Sequence, residues 1–233
     1  MSVRTGLASV ALLAALAGVV PQVSAAPPAK VEIAWEVQRN GSAIADVVTR
    51  LEHDGRTYRL EESWKGRGVY ALRGEAKRSS RGRVTPEGLR PESYADERGS
   101  KSSSVRFDWA AKKVILTDKG ASQERPLPAH PADRLSLVFG FAFVSPGAAA
   151  IARDVVDGRG SSPVVYKSAG REQVVTPAGT FDALRLVKQR DGPQDRATEL
   201  WLAERHGLVP VRVLVTEQDG TRLDQRATRI DLR

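Results

Sequence analysis

Apolar and polar residues alternate along most of this chain, in short runs that turn residues separate. Val31, Ile33, Trp35 and Val37 share one face, with Glu32 and Glu36 opposite. Leu200 and Leu202 align with Thr198, while Glu199 and Trp201 take the other side; Val209, Val211 and Val213 alternate with Pro210, Arg212 and Leu214. In the run from Phe181, Arg185 interrupts a face made by Phe181, Ala183 and Val187, with Leu184 and Leu186 opposite. Asn40-Gly41, Asp54-Gly55, Asp191-Gly192 and Asp219-Gly220 are hairpin dipeptides, because Asn, Asp and Gly tolerate the positive φ of tight turns. Asp118-Lys119-Gly120 adds a looser one. Period-two patterning between regular turns predicts antiparallel strands. They fall at 31–38, 43–52, 56–65, 68–77, 82–87, 103–109, 113–118, 162–168, 171–176, 181–190, 196–204, 208–217 and 221–232.

One segment departs from this pattern. Asp133 is a natural N-cap for the apolar run Leu137–Val144, which Pro146-Gly147 ends, so a principal helix is expected over 133–144, with a second helical turn at 147–153. The stretches 77–82 and 96–104 read as exposed loops, and 26–30 as a frayed start. The predicted class is mainly β: one curved antiparallel sheet or incomplete barrel, with the helix over its mouth or concave face.

The first residues change the picture from fold to compartment. Arg4 supplies a positive start, Gly6–Val20 is small or apolar apart from Ser9, Pro21 breaks any helix, and Val23-Ser24-Ala25 offers small residues at a cleavage site. Residues 1–25 therefore read as a secretory signal peptide cut after Ala25. The apolar run is short of the ~20 residues of a comfortable membrane span. The expected organisation is a signal at 1–25 and a single β-rich domain at 26–233, exported to the periplasm, with the extracellular space as the alternative, and no integral membrane protein after cleavage.

The chain has 36 Lys and Arg, 28 Asp and Glu, and no Cys. The absence of Cys excludes disulfides, thiol catalysis, thiolate metal sites and a lipid-acceptor cysteine. Without residues 1–25, 35 basic residues face 28 acidic ones, a net charge of +7. The two signs are interspersed, as in Arg50, Glu52, Asp54, Arg56, Arg59, Glu61 and Glu62, which makes a solvated face rather than a polyanion groove, and no nucleic acid is expected.

No reaction is legible. His53, His130 and His206 all sit at turns and read as solvated, with no metal-ligand spacing. No Gly-x-Ser-x-Gly elbow occurs, and Gly158-Arg159-Gly160-Ser161-Ser162 lacks the Lys and helix of a phosphate loop. Glu61 and Glu62 would point to opposite faces of a strand. Trp35, Trp64, Trp109 and Trp201 read as core or sheet-edge packing, Trp109 at a hairpin bend. No catalytic residue, metal or cofactor is assigned, and no ligand-binding residue is identifiable. Carboxylates from distant strands, Asp133 and Glu199 for example, are the one route to an acid/base pair that sequence cannot display.

Three segments together carry a resemblance: Gly88-Leu89-Arg90-Pro91-Glu92-Ser93-Tyr94, Thr176–Leu184, and Leu200-Trp201-Leu202-Ala203 continuing through Gly207–Val211, with Asp133–Ser136 between the first two. In this order they resemble the bacterial exported family called domain of unknown function 3108, over 31–232. The resemblance implies an exported, mostly β protein and no activity. The expectation is a non-catalytic envelope protein holding an apolar or amphipathic ligand, such as a lipid, in its curved sheet. The alternative is an interaction or structural module that binds a protein or anionic polymer through strand edges or basic loops such as 77–83.

Overall fold

The computed structural model of the protein describes residues 27–144 and 150–233. The signal segment 1–25 lies outside the described residues, as does the start of the helical turn expected at 147–153. Fifteen strands form one sheet among the described residues. The first arm comprises β1 Lys30–Arg39, β2 Ser42–His53, β3 Thr57–Gly66, β4 Ala76–Thr85, β5 Gly88–Arg98, β6 Lys101–Asp108, β7 Lys113–Asp118 and β8 Ala121–Pro126. The second comprises β9 Pro131–Ala132, β10 Ala150–Asp157, β11 Gly160–Thr176, β12 Gly179–Lys188, β13 Ala197–Ala203, β14 Val209–Thr216 and β15 Arg222–Leu232. Helix α1, Arg134–Gly140, continues as a 3₁₀ turn through Phe143 and joins β9 to β10.

Each strand pairs with its sequence neighbour, except that β1 and β15 pair antiparallel in the middle of the sheet and β8 and β9 are its two edges. β9 pairs parallel with β10. The sheet does not close into a barrel. It winds instead: the β10–β11 turn lies over the inner face of the first arm, where a Cβ on Gly158 would meet Ser103 Cβ at 2.5 Å and Thr117 O at 2.8 Å. Only glycine allows this approach, which seats the edge of one arm against the other without a hydrogen-bonded seam.

The wound sheet encloses α1, which touches β4, β5, β9, β10 and β14. Leu135 and Phe139, one turn apart, join the cluster built on Ile33, Trp35, Leu60, Val105, Phe107 and Leu116. Leu137, Phe141 and Ala142 join a second cluster with Tyr166, Leu186, Leu200 and Leu202. The helix is therefore apolar on opposite sides and fills the concavity instead of covering its mouth.

The expected mainly β class and the helix at Asp133 stand, and Asn40-Gly41 makes a positive-φ hairpin turn as read. Several boundaries need correction. Residues 68–73 form a 3₁₀ helix, not a strand. The expected loop 77–82 lies within β4, and the loop 96–104 is the β5–β6 hairpin. The alternation is hidden in β4 because its inward positions are Arg78, Ser80 and Gly82. β8 and β9 were not expected: β8 is exposed along its whole length and β9 has two residues. Strand β10 replaces the helical turn from residue 150 onward. β11 is continuous through Ala169-Gly170, where its register with β12 shifts. The start is pinned rather than frayed: His53 Nε2 lies 3.0 and 3.1 Å from the Pro27 and Pro28 carbonyls, and Pro27 is buried.

Two-sided burial makes a direct prediction. Phe139→Ala is expected to lower stability by about 3–5 kcal/mol and Leu137→Ala by about 2–5 kcal/mol. Urea unfolding of both variants checks it, and a loss below about 1 kcal/mol at either position contradicts a helix buried on both sides.

Candidate functional site

Strand register brings ionisable groups together on the inner face of the first arm. Thr49 lies opposite Glu62, Glu62 opposite Arg78, and Arg78 opposite Asp96. Trp35 Nε1 donates to Thr49 Oγ1 (3.0 Å), whose hydroxyl donates to Glu62 Oε2 (3.4 Å). Glu62 Oε1 accepts from Trp64 Nε1 (2.6 Å) and an Arg78 Nη (2.8 Å). Asp96 accepts from Arg78 Nε (3.2 Å) and from Arg98 Nε (2.9 Å). Burial works to raise the Asp96 pKa, but the Arg98 and Arg78 guanidiniums outweigh it and hold this carboxyl below the usual range. The row is polar yet saturated.

A second polar chain runs from the first arm to the helix. The Tyr58 hydroxyl lies 2.8 Å from Ser80 Oγ, which donates to Asp133 Oδ2 at 2.5 Å. Asp133 Oδ1 accepts from the Leu135 and Ser136 amides at 2.8 and 2.9 Å, and Ser136 Oγ accepts in return from the Asp133 amide (2.8 Å). This is a capping box whose acid is wholly buried. Burial pushes the Asp133 pKa up against the opposing pull of the Ser80, Ser136 and Leu135 donors. The nearby Tyr94 hydroxyl is buried without a protein partner, and burial pushes it up as well.

The second arm carries its charges on the outer face. Arg185, Trp201, Arg212, Arg226 and Glu36 face one another in register across five strands. The Trp201 ring is buried between two guanidiniums, Arg212 at 4.7 Å and Arg185 at 5.6 Å from its centroid. Its Nε1 donates to Glu172 (2.6 Å), while Arg185 donates to Glu199 (2.9 Å) and Arg212 to Asp224 (2.9 Å). Such stacking covers apolar area with charged stems.

Asp133 and Glu199 thus hold separate partner sets and form no acid/base pair. Glu61 and Glu62 point to opposite faces, as expected: Glu61 pairs with Arg59 outside and Glu62 lies inside. Of the histidines only His130 is exposed; His53 and His206 are half-buried, His53 edge-on to Phe143 (5.0 Å) and His206 to Phe181 (5.2 Å). Gly158-Arg159 is the β10–β11 turn, not a phosphate cradle. Among the described residues no three His, Asp or Glu gather as metal ligands would.

Two open concavities mark the surface. One, of about 180 Å³, is lined by Lys30, Glu32, Arg50, Glu52, Asp231 and Arg233 with Val31 and Leu51 at its floor. Its carboxylates are each ion-paired: Glu32 to Arg50, Glu52 to Lys30 and Asp231 to Arg233. The other, of about 380 Å³, lies between Arg39, Ile44, Arg67, Val69 and Tyr70. Neither receives the buried acids.

Comparison with known proteins gives a family and a fold. The model of a family described as "Protein of unknown function (DUF3108)" matches residues 30–227. No curated protein matches the sequence. A β-barrel-like protein of the domain of unknown function DUF1849 from Brucella abortus superposes with a TM-score of 0.56 at 8% identity, covering 89% of this chain and 98% of that one. A candidate exported protein with a YmcC-like fold from Bacteroides fragilis gives 0.40 at 11% identity, covering 88% and 96%. A candidate lipoprotein from Parabacteroides distasonis gives 0.35 at 9%, again covering 88% and 96%.

The buried cap yields a pH prediction. Unfolded, Asp133 ionises near the ordinary value of 3.8; folded, it resists ionisation. The folded state therefore binds more protons as pH rises above about 4, and this group's contribution to stability falls with pH. Asp133→Asn keeps a capping oxygen and removes the titration. The stability of the native sequence minus that of Asp133→Asn is expected to shrink from about pH 4 toward pH 7 in urea unfolding, the other carboxylates cancelling. Asp133→Ala is expected to cost at least about 1–2 kcal/mol at either pH, since the cap is lost and Ser80 keeps only its Tyr58 partner.

Proposed function

The chain belongs to the DUF3108 family of proteins of unknown function, and we propose that it is a non-catalytic interaction module of the cell envelope. In this reading residues 1–25 direct export and are removed after Ala25, and the domain 26–233 works in the periplasm. It engages a macromolecular component of the envelope through its outer surface.

The observation that carries this reading is the two-sided burial of α1. A carrier of an apolar ligand needs an apolar vacancy inside its sheet. Here Leu135 and Phe139 fill one side of that space and Leu137 and Phe141 the other. The two concavities described above are open to solvent and lined largely by charged or polar residues. The non-catalytic part rests on the commitment of the buried acids: Glu62 and Asp96 to arginines, Asp133 to a helix cap. Among the described residues no helix is long and apolar enough to cross a membrane.

Two measurements on protein recovered gently from its native envelope test the proposal together. Native mass spectrometry is expected to give the mass of the mature chain without a bound apolar molecule. Chemical crosslinking of intact envelopes is expected to return a reproducible high-mass adduct. Stoichiometric recovery of a lipid or other apolar ligand in the native spectrum overturns the module in favour of a carrier.

A further inference from the structure

Between β3 and β4 the chain does not take a short polar turn. It inserts Gly66-Arg67-Gly68-Val69-Tyr70-Ala71-Leu72, with a 3₁₀ helix over 68–73. Val69 is 76% and Leu72 90% exposed, two of the three large apolar side chains left in water among the described residues. The third, Val175, lies on strand β11. The turn is built to hold them there. Arg67 N donates to Ile44 O (2.8 Å), Tyr70 N to Arg67 O (3.0 Å) and Gly74 N to Ala71 O (3.1 Å). Any side chain at position 66 would strike the Tyr70 carbonyl, whose oxygen lies 2.3 Å from an ideal Cβ.

Cations flank this apolar tip. Arg39 and Arg67 line the adjoining concavity together with Val69 and Tyr70. Arg67 is tied to Asp46 and Glu36. Arg39 reaches the Tyr70 hydroxyl at 3.5 Å and, among the described residues, makes no ion pair, although Asp219 lies near enough to favour its charge. Lys65 is exposed one residue before Gly66.

We propose that the 66–74 turn, with Arg39 beside it, is a membrane-surface anchor: Val69 and Leu72 enter the interfacial layer of a bilayer while Arg39 meets an anionic phospholipid headgroup. Three features favour a bilayer over a protein partner. The apolar group is a protruding tip rather than a groove or a flat face. It offers two aliphatic side chains, whereas a stable protein interface, including one between two copies of this chain, engages about 20–30 residues a side. Aliphatic side chains with a tyrosine beside them and arginines behind them match the layering of a membrane interface. The inference rests on the reading of the chain as an exported, surface-binding module, and it names the surface.

The test uses the mature chain and co-sedimentation with vesicles of mixed phosphatidylglycerol and phosphatidylethanolamine, against phosphatidylcholine vesicles. Binding is expected to the anionic vesicles and to weaken with salt. Val69→Ser combined with Leu72→Ser is expected to lower it about tenfold or more, and Arg39→Gln about fivefold. Both variants alter exposed side chains, so an unchanged thermal transition shows that the fold is kept. Failure of the native sequence to bind anionic vesicles, or equal binding by the double variant, overturns the anchor. If vesicle binding is absent while the envelope crosslinks persist, the anchor fails and the interaction module stands; a stoichiometric internal ligand would remove the module itself.

Discussion

The fold depends on one constraint: α1 is buried on opposite sides, so the start of the helix must find partners inside the protein. A helix leaves four N–H groups without intrahelical partners at its start. Here Asp133 takes two of them from inside the protein, and its second oxygen reaches Ser80 on the other side of the core. The capping box is thus also the bond between the helix and the first arm. A buried carboxyl is a costly choice for this task, and the price is visible in its raised pKa. What it supplies is direction: the helix can enter the wound sheet in only one register, with Leu135 and Phe139 toward one arm and Leu137 and Phe141 toward the other.

The sheet around that helix stays open for a related reason. Its two edges, β8 and β9, never meet; the β9–β10 side slides under the first arm and packs on it through Gly158. The unprotected edge that remains, β8, is short, exposed throughout, charged at Glu124 and Arg125, and closed by Pro126. These are the devices that keep an edge strand from recruiting another chain. The strands that carry the two ends of the domain, β1 and β15, pair in the middle of the sheet, so neither arm is an independent unit. His53 extends this closure by holding the Pro27 and Pro28 carbonyls against the β2–β3 turn.

What was legible in the sequence follows from which faces are apolar. β1 and the strands β12 to β15 were legible, β1 because Val31, Ile33, Trp35 and Val37 alternate with Glu32 and Glu36 on the other face, whereas β9, β10 and the continuity of β11 were not. The helix was legible from Asp133 and the apolar run behind it, although not its two-sided burial, since an apolar stretch does not say how many sides will be covered. Strand β4 was illegible because its inward positions are Arg78 and Ser80, whose burial is made tolerable by Glu62, Asp96, Tyr58 and Asp133 on other elements. No local signal encodes that satisfaction. The 68–73 turn was misread as a strand for the opposite reason: Val69, Ala71 and Leu72 look like core residues and are exposed.

The same contrast bears on where the proposed recognition would lie. The polar rows of the first arm sit inside, saturated by partners that strand register fixes, so they cannot exchange those partners for a ligand without unpairing a buried charge. The arginines around Trp201 lie outside but are likewise bound to Glu199 and Asp224, as the tryptophan itself is to Glu172. Their register across β12, β13, β14 and β15 keeps the tryptophan covered and the face charged. The buried acids are thus committed and the outer tryptophan is screened, while the Tyr94 hydroxyl is left buried without a protein partner. The apolar turn after β3 is where that economy is broken: glycines and backbone hydrogen bonds hold Val69 and Leu72 in water, an arrangement that folding alone does not require.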